Sequence, residues 1–383
     1  MAQLWMFGLP SDRIQALKLL RGMGCSVVTV GKDEAAVKAI SGEGVRAHVV
    51  MGAFSLERAD SRKRDSLVRR LDGRRVEWFG SGCPNNPKIR KASLSRARDA
   101  ASVDGVEAVV LDGIRFASPG EGIDTFLSCL CDACRRKSDV LGYDMREMKT
   151  SLRGLLKSID RFTPPLLRSI GGWESPVDLF DLLLRFPGML EWLRFRADCV
   201  CEHVADIREA MRSVNPSCKL GAYLFTPSLS YLVGQDYRRL GELLDYVEPM
   251  IYRTGEGVAC LNHEVAKMAT DIYERGDGLD QVEIQRFLFD FLGLDAEPEI
   301  SISHLKGGIS PKSVESEVRR ATRTVGASKL VPILHLNDPF LRESVAGALR
   351  AGIEAISFFH FYEGAEEAIR IAGETIKGIR RRG

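Results

Sequence analysis

Short apolar runs of strand length alternate with longer stretches of helical period along the chain, the pattern of βα units that feed a parallel sheet. The first run, Leu4 to Leu9, is stopped by Pro10, and Ser11 and Asp12 offer N-cap oxygens to a helix opening near Arg13. Gly22 and Gly24 end that helix. Further strands are expected at Ser26 to Val30, Ala47 to Phe54, Val106 to Phe116, Leu220 to Phe225, Tyr246 to Tyr252, Leu330 to Leu336 and Ala355 to Phe361. Val76 to Gly80 reads as an added or returning strand. Amphipathic stretches between them, among them Lys88 to Ala101, Leu190 to Val214, His263 to Arg275, Pro311 to Thr324, Leu341 to Ala351 and Glu366 to Arg380, supply an outer ring of helices. Eight core strands in this alternation predict a (β/α)8 TIM barrel, of fold class α/β. One domain is expected over 1–383, with helical insertions after strands four and six at 135–218 and 253–310.

Composition narrows the class. The 383 residues are 45% hydrophobic and 28% charged, enough to bury a large core, and barrels with insertions reach this length as one unit. A formal net charge of +2 gives no electrostatic case for nucleic acid or an anionic membrane as partner. Leu4 to Leu9 is too short for a signal-peptide core or a membrane span, so a cytoplasmic protein is expected. In that compartment the nine cysteines point to thiols or a metal rather than disulfides. A homo-oligomer is allowed by the sequence and not required by it.

The sharpest local signal is the run Cys129, Cys131 and Cys134, with Cys83 upstream in a Gly-Cys-Pro-Asn-Asn-Pro loop. Four sulfurs in tetrahedral array suit a structural Zn2+, at about 2.3 Å each. The bland alternative is a set of ordinary reduced thiols. Cys25, Cys199, Cys201, Cys218 and Cys260 are expected to pack as small apolar residues.

The stretch Cys-Leu-Cys-Asp-Ala-Cys-Arg-Arg-Lys, with a lone cysteine upstream, resembles the zinc-binding loop of the family-42 β-galactosidases, which are barrel glycosidases. Val-Leu-Asp-Gly-Ile-Arg-Phe at strand four, Trp-Leu-Arg-Phe-Arg before strand five and Asp-Tyr-Val-Glu-Pro-Met-Ile-Tyr at strand six look like a broader group of glycoside-hydrolase-like barrels. The resemblance implies a carbohydrate substrate. It stops short of galactosidase activity: that family places an Asn-Glu pair after strand four and a Glu after strand seven, where this chain has Asp112, then His335, Asn337 and Asp338.

Active sites on this fold form at the carboxyl ends of the strands. Asp112 closes an apolar run beside Gly113, and Glu248 lies within strand six between Val247 and Pro249. Glycoside hydrolysis needs two carboxyl groups. The expected pair is Asp112 as ionised nucleophile or base and Glu248 as proton donor, its pKa raised by burial. The roles could be reversed. An ion pair of Glu248 with Arg115 is the structural alternative. Arg115, Tyr252, His335, His360 and Trp173 are the expected substrate-binding residues, with Arg253, Trp78, Phe79 and Glu363 nearby. Trp173 could equally anchor an insertion, and the two histidines could be core residues. A catalytic glycosidase barrel is therefore set against two alternatives. One is a metal-dependent lyase or isomerase with His335, His360, Glu248 and Asp112 as ligands; the other is a carbohydrate-binding barrel without chemistry.

Overall fold

The computed structural model describes residues 2–56, 64–164, 167, 178–295 and 301–379. Eight parallel strands close into a barrel in chain order: β1 (Gln3–Phe7), β2 (Cys25–Val30), β3 (Arg46–Gly52), β4 (Val106–Asp112), β5 (Lys219–Phe225), β6 (Tyr246–Met250), β7 (Ile333–His335) and β8 (Ala355–Phe359), with β8 pairing back onto β1. The (β/α)8 expectation holds, strand for strand. No described helix is long and apolar enough to cross a membrane.

Local chemistry sets the boundaries. Asp12 caps the helix Arg13–Met23 through a bond from Gln15 N, and Gly24, at φ 82°, ends it. Strand β4 stops at Asp112 instead of running to Phe116, because Gly113 turns at φ 64° and Phe116 N bonds to Val233 O of the next excursion. Strand β7 is shorter than its apolar run because Pro332 has no N–H for the ladder. The added strand expected at Val76 to Gly80 is instead the end of a small antiparallel pair, Val68–Arg69 with Arg75–Val76, followed by a turn bridging Trp78 and Ser81. Phe79 at φ 44° and Gly80 at φ 64° form that turn.

Alternation along the strands divides the core in two. Residues such as Met6, Val28, Val49, Val109, Leu224, Val247 and Ile356 pack outward against the helices. Trp5, Val27, Ala108, Val110, Tyr223, Phe225, Tyr246, Met250 and Ile333 fill the lumen. Low in the lumen, Trp5 meets Tyr246 and His48 edge-on at 5.3 and 5.2 Å, and the Tyr246 hydroxyl bonds to His48 Nδ1 at 2.9 Å. Opposite Tyr246 in register stands Gly221. A Cβ there would lie 2.3 Å from the Tyr246 ring.

Since Trp5 and His48 hold that ring, it has nowhere to retreat. Gly221→Ala should therefore cost about 2 kcal/mol through overpacking, measured as a lower denaturation midpoint with unchanged m value. An unaltered midpoint would show that the ring is free to move.

Candidate active site

At the carboxyl ends of the strands lies a cavity of about 260 Å³, lined by Phe7, Phe79, Tyr223, Phe225, Met250, Tyr252 and Phe359 as apolar surface and by Asp112, Arg115, Glu256, Cys260 and His335 as polar groups. Strands β1, β4, β5, β6, β7 and β8 contribute inward residues near their ends, so the mouth is built by strand alternation followed by loop closure.

Asp112 accepts a bond from Gly113 N at 2.7 Å. Burial raises its pKa, and Arg115 together with that amide holds it back. The ionised, polar setting expected for it is thus tempered by enclosure. Arg115 is itself buried: its guanidinium lies 4.5 Å from the Phe225 ring centre and 4.7 Å from that of Trp78, and Nη1 donates to Phe116 O at 3.0 Å. The charges that act on it are Glu264, Glu121 and Asp112, not Glu248. Trp78 packs beneath this arginine while Phe79 reaches the cavity.

Glu248 is fully buried in the lumen, two residues before Met250 and paired in register with Tyr223. Met250 and Tyr223 line the cavity; Glu248 does not. Burial pushes its pKa from the usual 4.5 up to about 8, with Ser357 as a weak counterweight, although neither carboxyl oxygen has a hydrogen bond of normal geometry. Among the described residues the Tyr223 hydroxyl likewise has no hydrogen bond of normal geometry, with Thr29 as a weak contact. Tyr252 lies within electrostatic reach of both carboxyls, which with burial raise its phenol well above the usual range.

His335 stands in the cavity, its ring edge-on to Tyr252 at 4.0 Å. His360 is exposed at the rim beside Tyr362 and does not line the cavity. Glu363 lines a separate groove of about 440 Å³ with Ser11, Asp12 and Arg370. Arg253 steadies a carboxylate: it is buried and forks onto Asp338 at 2.8 to 3.0 Å. Trp173 lies outside the described residues. Among the described residues, Asp112, Glu248, His335 and His360 do not gather into a group able to hold an ion.

Pattern reading missed Glu256, Phe7, Phe359 and Cys260 as wall residues. It also missed Glu264, buried in the helix Leu261–Arg275, which accepts from Ser118 Oγ at 2.9 Å, Gly120 N at 2.5 Å and Ala259 N at 3.0 Å. One carboxylate thereby ties the loop after β4 to the loop after β6, where Ala259 is held at φ 71°. The only sequence signal was an acid in the first turn of a helix.

The sulfurs of Cys83, Cys129, Cys131 and Cys134 lie within 4.8 Å of one another, all buried. Cys83 Sγ is 3.4 Å from Cys131 Sγ and 3.5 Å from Cys134 Sγ; tetrahedral coordination at about 2.3 Å requires roughly 3.8 Å between sulfurs. Arg69 N points at Cys129 Sγ at 3.3 Å and Asn85 Nδ2 at Cys134 Sγ at 3.4 Å, the type of N–H donation that steadies metal thiolates. The donor set fits a four-coordinate ion with no open position. Of the other cysteines, Cys25, Cys199, Cys201 and Cys218 are buried packing residues; Cys260 instead faces the cavity.

No protein-family profile matches the chain, and no curated protein matches it in sequence. Solved structures do. A β-galactosidase from Halorubrum lacusprofundi superposes with a TM-score of 0.60 at 13% identity, over 99% of this chain and 58% of that one. The PgaB (BpsB) glycoside hydrolase domain from Bordetella bronchiseptica gives 0.54 at 10% identity, over 98% of each chain. The β-amylase catalytic domain from Paenibacillus polymyxa gives 0.53 at 12%, over 99% of this chain and 97% of that one. The chain spans under three fifths of the length of the Halorubrum β-galactosidase and of a second one from Marinomonas. What these likenesses establish is the fold, a (β/α)8 barrel.

The buried acid has a consequence for stability. In the unfolded chain Glu248 ionises above about pH 4.5, whereas in the folded chain it keeps its proton to about pH 8. Between those values the unfolded state binds fewer protons, so stability falls as pH rises through this window. Glu248→Gln should flatten that fall and gain most over the native chain near pH 8. Parallel stability curves for the two from pH 5 to 8 would count against a proton held by Glu248.

Proposed function

We propose that the chain is a glycosidase, a hydrolase that acts on O-glycosyl bonds of a carbohydrate held in the mouth cavity, on a single barrel domain. The observation that carries this reading is Asp112: a carboxyl at the end of β4, facing a cavity walled by six phenylalanine and tyrosine rings and flanked by a buried arginine. Aromatic walls suit the C–H faces of sugar rings, and a carboxyl whose pKa burial raises, against the pull of Arg115 and the Gly113 amide, is suited to proton transfer.

Hydrolysis needs a second carboxyl. Glu256, on the loop after β6, faces the same cavity and has the access. In this reading Asp112 protonates the leaving oxygen and Glu256 activates water or attacks carbon. Tyr252, Arg115 and His335 bind substrate hydroxyls. A second reading keeps the pair read from the sequence, with Glu248 as donor. It is favoured by the proton that Glu248 retains to about pH 8 and by its register with Tyr223, whose side chain reaches the cavity.

Asp112→Asn should lower turnover of an activated aryl glycoside about a thousandfold with the fold intact. Glu256→Gln should do the same if it is the partner, and Glu248→Gln if the lumen acid is. A native chain inert across a broad glycoside panel would overturn the proposal, and near-native turnover by Asp112→Asn would remove its central residue.

We further assign Zn2+ to the cysteine quartet, as a structural ion. Bound there it would neutralise the thiolates and fasten the loops after β3 and β4 together; with four protein ligands it leaves no position for substrate. Metal analysis of purified protein should find about one zinc per chain. Its removal by a chelator should lower the unfolding temperature before glycoside turnover declines. Metal-free protein of full stability would refute the assignment.

A further inference from the structure

The loop after β6 folds back on itself: Leu261 N donates to Tyr252 O at 2.7 Å, so Cys260 sits beside the end of the strand it left. Cys260 is the N-cap of the fifteen-residue helix Leu261–Arg275, and its side chain lines the mouth cavity. Across from it, His335 Nε2 lies 3.9 Å from Cys260 Sγ, while His335 Nδ1 lies 3.1 Å from Asn337 Oδ1. An amide oxygen can only accept, so Nδ1 carries the ring proton and the Nε2 lone pair faces the thiol.

The surroundings keep this arrangement in place. Tyr252 packs edge-on against the imidazole at 4.0 Å. Gly255 approaches so closely that a Cβ would lie 2.4 Å from Cys260 Sγ. Asp338, next to Asn337, is fixed by the Arg253 fork and by Ser344 Oγ at 2.7 Å, which holds the turn that presents the amide. Burial, then the charge of Glu264, keeps the thiol above its ordinary range, and burial keeps His335 below its own. The resting pair is therefore uncharged, with the thiol as donor and the imidazole as base. First-turn amides of a helix have no intrahelical acceptor and carry the positive end of its dipole, which works against the Glu264 charge when an anion forms near Cys260.

We propose that Cys260, His335 and Asn337 form a nucleophile, a base and an orienting amide, giving the barrel mouth a second activity: hydrolysis of small esters, such as acyl groups carried on a hydroxylated substrate. This inference does not rest on the glycosidase reading, although it uses the same cavity. Cys260 Sγ attacks the ester carbonyl as His335 Nε2 takes the thiol proton. The C–O bond then breaks, and the departing alkoxide receives that proton as the alcohol. Water, deprotonated by His335, attacks the resulting thioester; the C–S bond breaks, the thiolate regains a proton, and the acid leaves. Ester and water give alcohol and acid, with no oxidant or reductant. A largely apolar cavity of about 260 Å³ suits a short acyl chain.

The test uses the purified native chain with p-nitrophenyl acetate. Acid-quenched samples should show an acetyl group on Cys260 by peptide mass mapping. Cys260→Ala and His335→Gln should each lower ester turnover at least about a hundredfold. Asn337→Ala should lower kcat with KM little changed, the mark of a residue that orients the base and not the substrate. Native protein without acetyl-Cys260 would overturn the proposal, as would Cys260→Ala turning over ester at the native rate. The labelling needs no variant to fold. Aryl-glycoside turnover, run in parallel, separates the two readings: acetyl-Cys260 with no glycoside turnover sinks the glycosidase alone.

Discussion

Closure of eight short strands into a barrel imposes one constraint from which most of this site follows: every second residue must point inward, and inward residues stack in layers. On β6 the inward set is Tyr246, Glu248 and Met250; on β5 it includes Tyr223 and Phe225; on β4 it is Ala108, Val110 and Asp112. The last member of each set reaches the mouth. The one before it is about 6 to 7 Å deeper, one layer down in a packed lumen. That single step separates Asp112, which meets the cavity, from Glu248, which lies under its floor. It also explains why Glu248 retains its proton: a neutral carboxyl without partners costs far less to bury than a carboxylate.

Above the lumen the loops are fastened by buried guanidinium groups. Arg196 stacks 3.9 Å from the Trp192 ring and donates to the carbonyls of Phe126, Ser128 and Leu232, tying the helix Pro187–Arg212 to the loop that carries the cysteines. Arg115 does the same among Trp78, Phe225 and Phe116 O, and Arg253 joins the ends of β6 and β7 through Asp338. A planar cation with fixed donors can stack on aromatic faces and bond in its own plane at once, which lysine cannot do. The cysteine cluster and the cavity are accordingly two ends of one braced loop system, since residues 113–134 run from the strand carrying Asp112 to Cys134.

The barrel was legible because its signal is repeated eight times, with local stops such as Pro10, although the stop at Gly113 showed only in the structure. The cysteine quartet was legible because three ligands share one loop and the fourth lies at the end of the preceding βα loop, just before the helix Pro87–Ala101. What stayed hidden depends on tertiary closure. Cys260 and His335 are 75 residues apart, and only the Tyr252 to Leu261 loop closure brings the thiol back to the mouth. Glu248 could be read as buried and inward, but its depth could not, since depth depends on how adjacent strands are staggered. Trp173, an expected substrate-binding residue, lies outside the described residues, so the aromatic walls described come from Phe7, Phe79, Tyr223, Phe225, Tyr252 and Phe359.

The end of β7 is where this barrel parts from the arrangement that its cysteine loop resembles. A glutamate there would put a second carboxylate opposite Asp112; His335 puts a neutral base there instead, with its proton turned toward Asn337. The chemistry available at that position changes from attack by an oxygen anion to removal of a proton, and the nearest proton donor is the Cys260 thiol. Strand seven therefore supports proton transfer to a neighbour better than direct attack on a sugar carbon. In the proposed reading glycosidic chemistry would lie on the β4 and β6 side, at Asp112 and Glu256, which leaves the β6 and β7 side for the thiol. Since one apolar wall faces both, a substrate with a sugar ring and a short acyl branch would present its two reactive bonds to opposite sides of a single cavity.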